Sequence, residues 1–92
     1  MIQSFRDRAT QRFWMGEFVK RFSGIEKAAR RKLDMRNVAR DLRDVRSPPA
    51  NRLEALSGGR KGQHSIRIND QWRICFVWTK EGPSDVEIVD YH

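Results

Sequence analysis

Apolar residues change their spacing about halfway along the chain. Ile25, Ala28, Ala29, Leu33, Val38, Leu42 and Val45 recur at helical spacing, with Arg and Lys crowding the other face. From His64 onward the period becomes two. Ile66 and Ile68 share one side of "HSIRI", Trp72, Ile74, Phe76 and Trp78 one side of "QWRICFVW", and Val86 and Ile88 one side of "VEIVDYH". The chain therefore predicts helices first and strands afterwards.

Local signals place the boundaries. "MIQSF" reads as a short strand anchored by Ile2 and Phe5. Asp7 precedes a first helix, "RATQRFWMGEF", whose ragged stripe is Phe13, Trp14 and Phe18. Ser23 with Glu26 predicts a capping box at the head of the basic segment. That segment reads as one long helix, or as two with a break near Asn37, and "SPPAN" ends it because proline cannot continue a helix. "NRLEAL" is then a short extended stretch, "SGGRKGQ" a loop, "ND" a turn and "TKEGPSD" another turn. The order predicts a single α+β domain over residues 1–92, with an N-terminal strand and helices packed on one face of a mostly antiparallel sheet.

Alternation also predicts what the other sheet face carries. Ser65, Arg67, Arg73, Cys75, Val77, Glu87, Val89 and Tyr91 all fall opposite the apolar positions. Strict parity puts Asp90 and His92 on the core side. A twist at the strand end would bring His92 over the edge.

Charge narrows the partner. The formal net charge is +7, and residues 1–50 hold all of it, with thirteen Lys/Arg against six Asp/Glu. Fourteen of the nineteen bases are Arg, the planar bidentate binder of phosphate. Such a basic half suggests nucleic acid, against the ordinary alternative of a solvated helix face. Arg30 and Arg31 are the helical candidates for RNA phosphates. The single Cys75 excludes a disulfide framework, and the spacing of His64 and His92 suggests no metal site. No cofactor is implied. No apolar run approaches the ~20 residues of a bilayer span, and no signal-like stretch opens the chain, so the reading is cytoplasmic.

Arg67 and Arg73 suit a phosphate, Tyr91 can stack on a base, and His92 titrates near neutrality. RNA carries its own nucleophile, the 2′-OH, so cleavage needs only a base, an acid and cations for the phosphorane. Each residue also has a plainer reading. A strand arginine is commonly ion-paired, and a terminal histidine is commonly exposed. "GGRKG" lacks the lysine–hydroxyl ending of a phosphate loop. His64 stands on the apolar parity.

"MIQSF", "GGRKGQ" followed by "SIRINDQWRICF", and "VEIVDYH" stand in one order that resembles the HigB toxins, or plasmid maintenance system killer proteins, of the RelE/ParE superfamily. The resemblance spans essentially the whole chain. It implies a RelE-like fold and a bacterial mRNA endoribonuclease that acts in the ribosomal A site without metal. It implies a cognate HigA-like helix-turn-helix antitoxin as partner, with operator DNA bound only through that complex. Ribosomal RNA and message are the further partners. By the family motifs Arg73 would stabilise the scissile phosphate, and Asp90, Tyr91 and His92 would form the catalytic tail. Ser57 replaces a frequent family lysine and Glu54 a histidine found in some members. Arg60 or Lys61 would supply the missing charge, and His64 would stack on or hydrogen-bond a base. A gyrase poison on the same scaffold and a purely basic RNA-binding domain are the alternative functions.

Overall fold

The computed structural model describes residues 1–38 and 52–90. The expectations for Leu42, Val45 and "SPPAN", and those for Tyr91 and His92, lie outside the described residues.

Helix α1, Arg8–Trp14, begins where Asp7 is extended and its carboxylate accepts the Thr10 N–H at 3.4 Å. It ends sooner than the apolar stripe suggested. Gly16 takes φ +99°, and its N–H donates to the Phe13 carbonyl at 3.1 Å, which closes the last turn. Phe18 consequently lies beyond the helix and is 65% exposed, whereas Phe13 is fully buried. Ser23 does not cap a helix either. Lys20–Ile25 forms a 3-10 turn that buries Phe22 and Ile25. Helix α2 then runs from Glu26 to Val38 and turns Ala29 and Leu33 into the core. A 3-10 turn places two large apolar side chains close together, and that burial displaces the local capping preference.

Four strands form one antiparallel sheet in the order β1 (Glu54–Ala55), β2 (His64–Arg67), β3 (Trp72–Thr79) and β4 (Gly82–Asp90). The β2–β3 connection is the expected Asn-Asp turn. Asn69 Oδ1 accepts the N–H groups of Gln71 and Trp72 at 2.9 and 2.8 Å. The β3–β4 connection is tighter than expected. Only Lys80 and Glu81 lie between the paired Thr79 and Gly82, so "GPSD" belongs to the strand. Register shifts by one between Cys75–Glu87 and Val77–Ser84, so Asp85 and Val86 both stand opposite Phe76. Asp85 makes this β-bulge at φ +50°, a conformation that Asp tolerates.

Residues 1–6 occupy the outer edge of β4. Phe5 bridges Val86 in parallel. Gln3 N–H donates to Pro83 at 2.8 Å, Arg6 N–H to Val86 at 3.0 Å, and Val86 N–H to Ser4 at 3.0 Å. The expected first strand is thus an extended edge segment with a single ladder bridge. Proline fits at Pro83 because the segment uses its carbonyl and asks nothing of its nitrogen.

One face of the sheet meets the helices. Ile66, Ile74, Phe76, Val86 and Ile88 pack with Phe13, Phe22, Ile25, Ala29 and Leu33. Phe22 stands edge-on to both Phe13 and Trp72, with centroids 5.5 and 5.7 Å away. Thr10 is buried in this layer, and its hydroxyl accepts the Ile88 N–H at 3.0 Å. These contacts fix α1 on β4 and leave the opposite sheet face to other residues.

Candidate functional site

Register aligns two rows across that opposite face. Glu54, Ser65, Cys75 and Glu87 form one row, and Arg67, Arg73 and Val89 form the next. Arg73 lies flat on the sheet with only 15% of its side chain exposed. Its Nη1 donates to the buried Ser65 hydroxyl at 3.1 Å, and its Nη2 sits 3.5 Å from Glu54 Oε1. A hydroxyl beneath and a carboxylate beside hold the guanidinium in one place. Arg67, its register partner, pairs with Asp70 of the adjoining turn.

The "GGRKG" stretch contributes from above. Gly58–Arg60 is one 3-10 turn, and Lys61 N–H closes it on the Gly58 carbonyl at 3.2 Å. Arg60 reaches from the β1–β2 connection to β4, where its Nη1 lies 3.1 Å from Glu87 Oε1. The same nitrogen donates to Gln63 Oε1 at 3.0 Å. Lys61 is exposed next to it. On the other side of Glu87, Arg6 Nε stands 3.8 Å from the same carboxylate oxygen.

Cys75 lies fully buried under this cluster. Burial pushes its thiol above the usual range. Arg60 opposes that push, Glu87 adds to it, and Arg73 and Arg6 oppose it more weakly. The thiol thus has all four charged groups as neighbours.

The structure brings Arg60, Lys61, Arg67 and Arg73 to one side of the sheet. It does not bring the other described candidates, His64, Arg30, Arg31 and Asp90, there. His64 pairs with Phe76 and stacks on it at 6.1 Å, on the core parity, with Nδ1 buried and unpartnered among the described residues. Arg30 belongs to the helix layer on the opposite side of the sheet. It donates to the Phe13 carbonyl at 2.9 Å and lies 4.1 Å over that ring, which makes it a packing residue. Arg31, beside it on α2, is exposed. Asp90 pairs with Trp72, so it takes the core parity, and its Oδ2 accepts Gln71 Nε2 at 3.1 Å. Parity had put Glu87 opposite the core without indicating a role. Arg6 carried no periodic signal, because its place depends on the edge contact with β4.

Helices on one face of a four-stranded antiparallel sheet make this an α+β fold of the RelE-like kind. The fold agrees with the YoeB–YefM complex from Staphylococcus aureus at a TM-score of 0.57 and 18% identity, covering 100% of this chain and 98% of that one. Residues 3–92 match the family of RelE-like toxins of the type II toxin–antitoxin system HigB, and the chain belongs to that family. Toxin HigB-1 of Vibrio cholerae serotype O1 is 40% identical over 80 residues, which is 85% of this chain and 84% of that protein. An uncharacterized protein of Haemophilus influenzae is 38% identical over 78 residues, covering 83% of this chain and 77% of its own length. The protein is therefore the toxin of a type II module and has an antitoxin as its partner. Among the described residues no helix is long and apolar enough to cross a membrane.

Proposed function

We propose that this toxin is a ribosome-dependent mRNA endoribonuclease that works by 2′-OH attack without metal. The observation that carries the reading is Arg73, pinned between Ser65 and Glu54 on the face opposite the core. A guanidinium fixed before substrate arrives needs little reorganisation when charge develops on a phosphorane. Arg67, Arg60 and Lys61 would serve as further phosphate ligands. Family motifs give the catalytic tail to Asp90, Tyr91 and His92. There the imidazole would protonate the departing 5′-oxygen, a role worth typically 10²–10⁴ in rate. Arg31, exposed on α2, would meet ribosomal RNA in the A site. A cognate helix-turn-helix antitoxin would restrain the toxin, and operator DNA would be contacted only through that complex.

The test is expression in bacteria with primer extension on a reporter message, for wild type and for a variant lacking His92. Cuts at codon boundaries that vanish in the variant support the reading. DNA breaks with intact message would make the protein a gyrase poison instead. Binding to ribosomes with neither lesion would leave a basic RNA-binding domain.

A further inference from the structure

Arg6 lies outside every motif used above, yet the fold carries it to the arginine face. The edge segment delivers it there, since the Arg6 N–H bonds to Val86 one residue before Glu87. Two guanidiniums then share one oxygen, Glu87 Oε1, with Arg60 at 3.1 Å and Arg6 at 3.8 Å. One carboxylate balances one of them, so the trio keeps a single positive charge in excess. That excess is on the accessible side. Arg6 is 54% exposed, Arg60 34% and Glu87 21%. Arg60 is fixed by Glu87 and Gln63, whereas the Arg6 contact is too long for a hydrogen bond. A loosely paired cation beside a hydrogen-bonded one, with a partly shielded carboxylate behind both, is an anion site with one coordination position filled from within.

We propose that Arg6 and Arg60 form a second phosphate clamp, which takes a backbone phosphate flanking the one held at Arg73. This inference rests on the reading of the face as an RNA-cleaving surface. Glu87 keeps the two arginines together in the absence of RNA. When a phosphate arrives, Arg6 swings from the carboxylate to the anion while Arg60 contacts both. The clamp stands at the β4 edge and Arg73 on β3, so the RNA strand crosses the sheet rather than following one β-strand. The clamp binds and orients, and it takes no part in proton transfer.

The experiment uses purified full-length toxin, a fluorescent single-stranded RNA oligonucleotide and a salt series, with ribosome-dependent cleavage measured in parallel. Arg6→Ala is expected to weaken oligonucleotide binding about two- to fivefold at moderate salt. It should reduce the slope of log K against log salt by about 0.7, the share of one contact on a single strand. KM for cleavage should rise while kcat changes less than twofold. Arg6→Lys should restore the slope, and Glu87→Gln should steepen it. Wild-type cleavage together with an unchanged Kd, slope and KM in Arg6→Ala, at an equal melting temperature, would overturn the clamp alone. Absence of RNA cleavage and binding by the wild type would overturn the underlying reading as well.

Discussion

The two faces of the sheet are built by alternate residues of the same strands and are held by different forces. On β3, Ile74 and Phe76 are fully buried against the helices, while Arg73 between the strand's apolar positions makes ionic and hydroxyl contacts. The helix-facing side depends on apolar area and shape, which ionic screening does not weaken. The other side depends on paired charges, each worth little to stability and each available to a stronger anion. On the function proposed for Arg73, stability and activity are one step apart in sequence, and substitution at neighbouring positions should separate them in experiment.

Phe76→Ala should have the largest effect. Emptying that core site is expected to remove about 3–5 kcal/mol of stability, so chemical denaturation should show little folded protein and growth arrest should be lost with it. Arg73→Ala should do the reverse. Cleavage is expected to fall about 10²–10³-fold, while stability changes by about 1 kcal/mol, because the Ser65 hydroxyl loses a hydrogen bond and the half-exposed Glu54 carboxylate can turn to water. If Arg73→Ala unfolds the protein as Phe76→Ala does, the faces are not separable and Arg73 is structural.

Gly82→Ala should damage both faces at once. Gly82 has φ +130°, and a Cβ there would stand 2.3 Å from the Met1 carbonyl oxygen. The clash displaces the edge segment that carries Phe5 to the core and Arg6 to the arginines. A loss on the order of 1–3 kcal/mol is expected, read as a lower melting temperature together with weaker RNA binding.

Cys75 tests whether the charged face is also a packed one. Its thiol is raised, chiefly by burial. The raised group stabilises the fold fully below the unfolded thiol pKa of about 8.5, and that contribution is lost as pH climbs through the folded value. Denaturation midpoints should therefore fall from about pH 8.5 upward, and Cys75→Ala should flatten that decline. The smallest effect belongs to the turn. Asp70 is almost wholly exposed, so Asp70→Asn should leave the melting temperature within about 2 °C of wild type.

The β2–β3 hairpin was legible in the sequence because period-two alternation and the Asn69–Asp70 turn agree. That agreement places Arg67 and Arg73 together on one face. Elsewhere a local signal competed with a distant one. Gly16 could have been read as a helix stop, yet Phe18 drew the helix onward. Ser23 had the spacing of a cap, but burial of Phe22 and Ile25 in a 3-10 turn prevailed. "GPSD" had turn composition, and only the edge segment at its flank explains a strand there. Arg30 looked like a phosphate ligand by composition, whereas its guanidinium is spent on the Phe13 carbonyl and ring. Charge counts cannot distinguish a packing arginine from a binding one. Glu54 and Glu87 differ in the same way from acids that merely dilute charge, because their roles follow from register.

The edge segment also sets an order of events in time. Ser4 meets Ser84 across 80 residues of chain, and Thr10 meets Ile88 across 78. At about 5–20 residues per second, the first turns of the nascent chain wait roughly 4–16 s for their partners to be made. The internal hydrogen bonds of helix α2 and of the β2–β3 hairpin join near neighbours and can form meanwhile. Arg6 and Glu87 cannot meet until β4 has emerged. The Arg6–Arg60–Glu87 part of the charged face is therefore assembled only once β4 has been made, and a chain stalled before residue 83 carries Arg6 and Arg60 without the strand that aligns them.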